Sequence, residues 1–243
     1  VIGQSSVINV PQDYSTISAA LNAAISGQII NVSNTQNLSG NLDVPSGITL
    51  NIQSDAVVNL SSYAITTTDG TIVVDSGATF DCAACLKTGS TINTIYPSIT
   101  HAISAATSGQ SIEVYGAHTL AANLTVPPGV TLTFKNGSDI TLDSHTIQKG
   151  SGSLAIESGA TFTPDIRLKS GSTVLGLYSS LDAAYGDGSD VEIRGTHTFT
   201  DYYTVNPGRT LRAESGSKLI FPSGKYLNVY GTLHGNQADY TST

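Results

Sequence analysis

The chain has 243 residues, a formal net charge of −8, 39% hydrophobic residues and only 12% charged ones, about half the roughly 25% charged of an ordinary soluble domain. The acidic balance disfavours nucleic acid, whose phosphates need Lys and Arg clustered on one face, and nothing before Lys87 is basic. No apolar run approaches the roughly 18 residues that cross a bilayer, and the polar positions, filled by Ser, Thr, Asn and Gly, suit neutral surfaces, sugars or packing against copies of itself.

Residues 1–12 read as a strand-like extension, with Val7, Ile8 and Val10 as a candidate assembly strand able to add to a neighbour's sheet edge. The chain then repeats itself. Tyr14-Ser-Thr-Ile17-Ser-Ala-Ala-Leu21 returns 82 residues later as Tyr96-Pro-Ser-Ile99-Thr-His-Ala-Ile103, and after another 82 as Tyr178-Ser-Ser-Leu181-Asp-Ala-Ala-Tyr185. Val44-Pro-Ser-Gly-Ile-Thr-Leu50 keeps the register as Val126-Pro-Pro-Gly-Val-Thr-Leu132, whereas Val205-Asn-Pro-Gly-Arg-Thr-Leu211 follows after 79, so the third copy has lost three residues. Three copies result: 13–94, 95–176 and a shortened, divergent 177–243. A fixed period of this kind marks an architecture of stacked units.

Each copy opens with a short helix. Ile17, Ala20, Leu21 and Ala24 recur at helical spacing, Ser15 or Thr16 caps the start, and Gly27 ends the turn. Short β-type runs follow, among them Ile29–Val32, Leu42–Val44, Ile48–Ile52, Val57–Leu60, Thr71–Val74 and Ala78–Phe80, broken by Gly, Pro, Ser and Asn. Strands this brief, with no helix between them, suit coils of roughly 20 residues rather than a parallel α/β sheet. The expected stacking puts Ile30, Leu50 and Val73 on one wall and Val44, Val58 and Thr79 on a second. The fold expected is thus all-β, a β-solenoid with capping or inserted helices, as one continuous stack or as three short ones.

The Tyr-x-Ser-Ile-x-x-Ala-Ile helix, the Ser-Gly-Gln-x-Ile-x-Val segment and the Val-Pro-x-Gly-Val-Thr-Leu corner together resemble secreted proteins of the pectin-lyase-like right-handed parallel β-helix superfamily. The matching residues are structural, and the resemblance implies a fold that hosts lyases, hydrolases, adhesins and surface fibres alike. Its lyases imply carboxylates gathered on one face to hold calcium, with an Arg or Lys as base. Here the nearest candidate is the Asp187-Gly-Ser-Asp190 turn with Glu192, too few oxygens for a cation that takes six to eight, so the expectation is a turn. Hydrolases imply paired carboxylates in a cleft. Asp139 with Asp143 and Asp75 with Asp81 are the only local pairs, and they read as solvated coil edges.

The five histidines show no metal spacing, and His118 and His197 are equivalent by the repeat. Cys82 and Cys85 are expected to form a disulfide across a turn, with free thiols as the alternative. Seven of eleven tyrosines lie from Tyr178 onward, and Tyr202, Tyr203, Tyr226, Tyr230 and Tyr240 are candidates for an interface or for glycan contact. Five Asn-X-Ser/Thr sequences, at Asn31, Asn37, Asn59, Asn123 and Asn136, are no more than this much Ser and Thr produces by chance.

The absence of Met, even at position 1, suggests a mature product after loss of a leader or a piece of something longer. The reading is therefore an exported, extracellular or cell-surface β-solenoid of structural or adhesive, non-enzymatic kind. It meets copies of itself head to tail, or surface glycans, with no cofactor and no metal. A polysaccharide lyase or hydrolase, or a glycan- or ice-binding module using Thr131-Leu-Thr133 and Thr196-His-Thr198, is the alternative.

Overall fold

The computed structural model describes residues 6–188, 190–235 and 240–242, with side chains not described for 240–242. Strands take 48% against 9% for helix, which among the described residues is confined to three seven-residue segments, so the fold is all-β. The strands stack as parallel coils, about 10 turns of β-solenoid in all. They fall into two compact units. One comprises the chain through His118 with Pro127–Asp139 and Ala155–Ala160; the other comprises Thr119–Val126, Ile140–Leu154 and the chain from Thr161 onward.

In the first unit, helix α1 (Ile17–Ala23) starts at Thr16, whose extended backbone and side-chain oxygen, accepting the Ala19 N–H at 3.2 Å, make it the N-cap. Its buried face is Ile17, Ala20 and Leu21. Gln28 of the Ser-Gly-Gln segment then folds its side-chain oxygen onto the Ile25 N–H at 2.8 Å, a local bond that closes the exit turn. Gln110 does the same for Thr107 after α2 (Ile99–Ala105), also at 2.8 Å.

Three walls follow. Strands Val7–Val10, Ile29–Val32, Thr49–Ile52 and Thr71–Val74 pair in parallel, which sets Ile8, Ile30, Leu50 and Ile72 in one ladder and Val10, Val32, Ile52 and Val74 in another. Ile30 and Leu50 are wholly buried, each burial stabilising by about 1.5–3 kcal/mol, and alternation turns Asn9, Asn31 and Asn51 outward. Thr35–Asn37, Val57–Asn59 and Thr79–Phe80 form a second wall. Val44 does not join it. Leu42–Pro45 pairs instead with Ile65–Thr68 as a third wall, because two further turns, at residues 38–41 and 46–48, bend the chain after the second-wall strand. The coil is three-sided.

Between the coils of one copy and the helix of the next lies an element absent from the sequence reading. Strands Cys82–Thr88 and Thr91–Tyr96 form an antiparallel hairpin around Gly89-Ser90, with Gly89 at φ 60°, a backbone region that glycine enters without strain. The first strand pairs antiparallel with Gln110–Thr119, and the second with Ile65–Thr68 and Thr71–Val74. The hairpin is thus spliced into the sheet, and its Lys87 reaches Glu113 on the following strand at 3.0 Å.

The same geometry corrects the disulfide. Cys82 and Cys85 sit on one unbroken strand, three residues apart, where extended backbone separates Cα atoms by roughly 10 Å, beyond the reach of an S–S bond. Both are free thiols. Burial, with help from Asp81, raises Cys82 to about 11, and burial, with help from Glu113, raises Cys85 to about 12, so neither is a thiolate at neutral pH. In the second copy the counterparts of Ala83–Cys85 are likewise on a strand, Asp165–Ser170.

The second unit contains that second hairpin, Asp165–Ser170 with Thr173–Tyr178, turning at Gly171-Ser172. It pairs with Ile147–Gln148 on one side and Asp190–Arg194 on the other. Lys169 meets Glu192 at 2.6 Å, repeating the Lys87–Glu113 contact, and Arg194 adds a second cation at 2.7 Å. Burial would raise the Glu192 pKa, but the two hydrogen-bonded cations outweigh it and hold the carboxyl below its ordinary range. Val191, Leu211 and Leu233 continue the wall ladder of the third copy. Its core adds Ile193, Phe199, Val205, Leu219 and Phe221.

Candidate functional site

In the second unit Ser180 caps helix α3 (Leu181–Asp187), its Oγ accepting the Ala183 N–H at 3.2 Å. Opposite the start of α3 the chain leaves strand Thr196–Thr198, turns through residues 199–202 and enters strand Tyr203–Val205. Between helix and turn runs a groove of about 270 Å³ lined by Ser180, Leu181, Asp182 and residues 197–203. A second groove of about 240 Å³, lined by Tyr185, Asn206 and Arg209 among others, shares Asp182 and Tyr203 with it.

An aromatic cluster floors this region. Phe199 is buried and stacks on Phe221 at 4.2 Å and 9°, with His197 edge-on at 4.7 Å and Tyr203 tilted at 5.3 Å. Burial lowers the His197 pKa, which leaves its ring neutral at pH 7. Tyr203 lies near-parallel to Tyr185 at 6.3 Å and hydrogen-bonds to Asp182; burial first, and Asp182 second, push its hydroxyl pKa up. Arg209 lies over the Tyr185 ring at 4.9 Å and donates to the carbonyls of Tyr185 and Gly188, closing the end of α3 where the Ser-Gly-Gln segment of the other copies is missing.

The rim is exposed. Tyr202 and Tyr226 meet edge-on at 4.8 Å while remaining 51% and 56% exposed, and Tyr230 is 71% exposed. Lys225 lies 4.4 Å from the Tyr202 ring centre and 2.9 Å from Asp201, whose carboxylate also accepts the Tyr202 N–H at 2.8 Å. Hydrogen bonds from Lys225 and then from that N–H hold the Asp201 pKa below the usual carboxylate range. The structure therefore brings Tyr202 and Tyr226 together, and sends the Tyr203 ring to Tyr185 and Phe199 instead. The Tyr240 backbone pairs with Leu219, and its side chain lies outside those described.

The same groove exists beside α1, at about 110 Å³, between Thr16–Ser18 and residues 36–42. Counting 82 and then 79 residues along the chain, Gln36, Leu38, Gly40, Asn41 and Leu42 become His197, Phe199, Asp201, Tyr202 and Tyr203. Gln36 is buried and builds the local scaffold: its oxygen accepts the Ile17 N–H at 3.1 Å and its nitrogen donates to the Ser15 carbonyl at 3.2 Å. Asn41, and Asn123 in the second copy, accept the N–H of Ala64 and Thr146 on the next coil at 2.9 and 3.0 Å. In the third copy that position carries the exposed Tyr202 ring. Asp182, Phe199 and Asp201 escape a reading of single residues; the alignment carried across the three-residue loss points to Phe199 and Asp201, and the uninterrupted 82-residue period sets Asp182 opposite Ser18.

The remaining candidates are dispersed. Asp187 accepts from Tyr178 Oη at 2.8 Å and Gln148 Nε2 at 2.6 Å, Asp190 meets Arg212 at 3.2 Å, and Glu192 holds Lys169 and Arg194, so the three carboxylates each serve a different partner. Ser189 lies outside the described residues. Asp81 builds a corner, accepting the N–H groups of Leu60 and Cys82 at 2.9 and 2.8 Å, and Asp143 sits at φ 54° in a turn. His118 is buried against the Tyr115 carbonyl at 3.0 Å. Thr131 and Thr133 neighbour Ser111 and Glu113, while Thr196 and Thr198 neighbour Lys218 and Ile220, so neither Thr pair extends into a Thr ladder on these neighbouring strands.

Among the described residues strand Val7–Val10 is the edge of its sheet, with Ile8 and Val10 inward. At its outer side Asp13 Oδ2 accepts the Asn9 N–H at 2.7 Å, and the Asn9 carbonyl accepts from Asp13 at 2.8 Å and Tyr14 at 3.5 Å. A turn thereby occupies groups that an added strand would use. The fold is that of a parallel-coil β-solenoid. Comparisons with protein-family models, curated proteins and solved structures find no match to the chain.

Proposed function

We propose that this chain is an exported, non-enzymatic adhesive β-solenoid of the pectin-lyase-like, right-handed kind. Its uniform coils act as a spacer and its third copy carries the contact surface. One observation carries the reading: the groove beside α3 keeps the position of its counterpart beside α1, yet Leu38, Gly40, Asn41 and Leu42 have given way to Phe199, Asp201, Tyr202 and Tyr203. Rings left half exposed bury little surface in the coil, and Tyr offers a large, rigid, amphipathic contact face. Adhesion is favoured over end-to-end fibre growth because Asp13 and Tyr14 occupy the outer groups of Asn9 on the leading strand.

The test has two arms. Adsorption to polysaccharide-coated and protein-coated surfaces should fall at least tenfold in the Tyr202→Ala/Tyr226→Ala double variant, a loss typical of exposed aromatic anchors; equal adsorption by both proteins overturns the adhesive reading. Sedimentation and electron microscopy at rising concentration should give discrete particles, and concentration-dependent filaments would return the chain to the fibre class.

A further inference from the structure

Resting on that reading, we propose that the groove beside α3 binds a neutral saccharide, seated against the Tyr202 ring with its hydroxyls bonded to Asp182 and Asp201. Size sets the first limit. At about 270 Å³, with a further 240 Å³ reached across Asp182 and Tyr203, the space is below or near the low end of the roughly 300–1,000 Å³ of drug-sized sites and suits one or two ring-shaped units.

Chemistry sets the second. The walls offer hydroxyls from Ser180, Thr198 and Thr200 and two exposed carboxylates, Asp182 and Asp201, above the buried Leu181 and Phe199. Carboxylates accept hydrogen bonds from vicinal hydroxyls and repel anions, so uronates, sulfated sugars and phosphates are disfavoured. The nearest cations do not reverse this: Lys225 is paired with Asp201, and Arg209 is spent on Tyr185 and on two backbone carbonyls. His197 is neutral, so it too brings no positive charge.

A protein partner would fit less well. Interface cores are depleted of Ser and Asp, whereas Ser180, Asp182 and Asp201 stand in this lining, and of its aromatic side chains only Tyr202, backed by Tyr226, presents an exposed face at the rim. A sugar ring needs that combination of a flat CH-contacting face and acceptors at its edge. The first copy provides an internal control, since its smaller groove has Asn41 and Gly40 where Tyr202 and Asp201 stand.

Titration calorimetry and ligand-observed NMR should be run with neutral gluco-, manno-, galacto- and xylo-oligosaccharides, and with an oligogalacturonate and an aromatic-rich peptide as counter-ligands. Saturable binding of at least one neutral oligosaccharide is expected, with the uronate at least tenfold weaker. Tyr202→Ala should weaken it about tenfold and Asp182→Asn about threefold or more, while Tyr202→Phe keeps the ring and should bind within about threefold. Ser39→Ala in the first-copy groove should change nothing. The proposal is overturned if no neutral sugar binds, if the uronate or the peptide binds better, or if Tyr202→Ala binds as wild type. If adsorption to surfaces persists and depends on Tyr202 while every neutral sugar fails, the adhesive reading survives and this one does not.

Discussion

The grooves beside α1 and α3 occupy the same place in their copies and are built for different ends. Beside α1 the polar side chains point into the chain: Gln36 ties together the backbone at Ser15 and Ile17, and Asn41 holds the next coil through Ala64. Beside α3 those tasks are dropped, His197 packs on Phe199, and Asp201 and Tyr202 face outward. A repeat frees a position for function when neighbouring packing takes over its structural work. Here the aromatic cluster of Phe199, Phe221, Tyr203 and Tyr185 has done so.

The contrast breaks most sharply at a corner glycine. Gly116 and Gly195 are equivalent and share φ values of +73° and +71°, but a Cβ on Gly116 would lie 2.5 Å from the carbonyl oxygens of Phe80 and Asp81, whereas one on Gly195 meets nothing within 4 Å. Gly116→Ala should therefore cost roughly 3 kcal/mol or more, and Gly195→Ala only the roughly 1–2 kcal/mol of a left-handed alanine. Urea midpoints of the two variants measure the difference, and equal shifts would mean that the corners are alike.

A middle-sized effect is expected at the hairpin ion pairs. Glu192, 1% exposed and holding two cations, should cost about 2 kcal/mol as Glu192→Gln, below the 3–5 kcal/mol of fully buried pairs because Arg194 is 44% exposed. Glu113→Gln, with one cation and 22% exposure, should cost less than about 1 kcal/mol. The folded-state pKa of Glu192 is lowered, so its contribution is complete above the unfolded carboxylate value of about 4.3 and fades as pH falls through the depressed one. The wild-type advantage over Glu192→Gln should thus be full at pH 6 and shrink below about pH 4. An advantage that grew on acidification would refute the assignment.

The smallest effect compares the scaffold positions themselves. Gln36→Ala strands a buried N–H and a carbonyl and should cost about 1–3 kcal/mol, while His197→Ala loses an aromatic edge contact of about 0.5–1.5 kcal/mol. Thermal midpoints check the order, and a larger loss at His197 would show that it has kept the scaffold role.

Much of this was legible in the chain. Ile30 and Leu50 fall on one ladder because a period near 20 and alternating burial are both sequence properties. Val44 was misplaced because spacing reports that a turn occurs and not how many walls the turns enclose. The hairpins hid in plain composition: Thr88-Gly-Ser-Thr91 and Ser170-Gly-Ser-Thr173 look like the Ser-Gly corners of the coils, and what distinguishes them is pairing direction, a tertiary property. The expected disulfide needed a turn between Cys82 and Cys85, but both lie on strand Cys82–Thr88, and the second copy has strand Asp165–Ser170 there. The rim tyrosines were visible as a cluster. Asp182, Phe199 and Asp201 were not, because a carboxylate or a ring acquires meaning only from what faces it.

The spliced hairpins also shape the entropy of assembly. Each pairs its two strands across a two-residue turn, whereas every coil-to-coil pairing must close a loop of about 20 residues, a tenfold longer span that adds about 2 kcal/mol of closure entropy. The least costly long pairing in each unit is therefore an antiparallel ribbon lying between copies, with a free edge on either side ready to receive a coil. A chain of nearly identical ladders is open to slipping by one whole rung. These ribbons, unlike any rung around them, give it two marks from which to count.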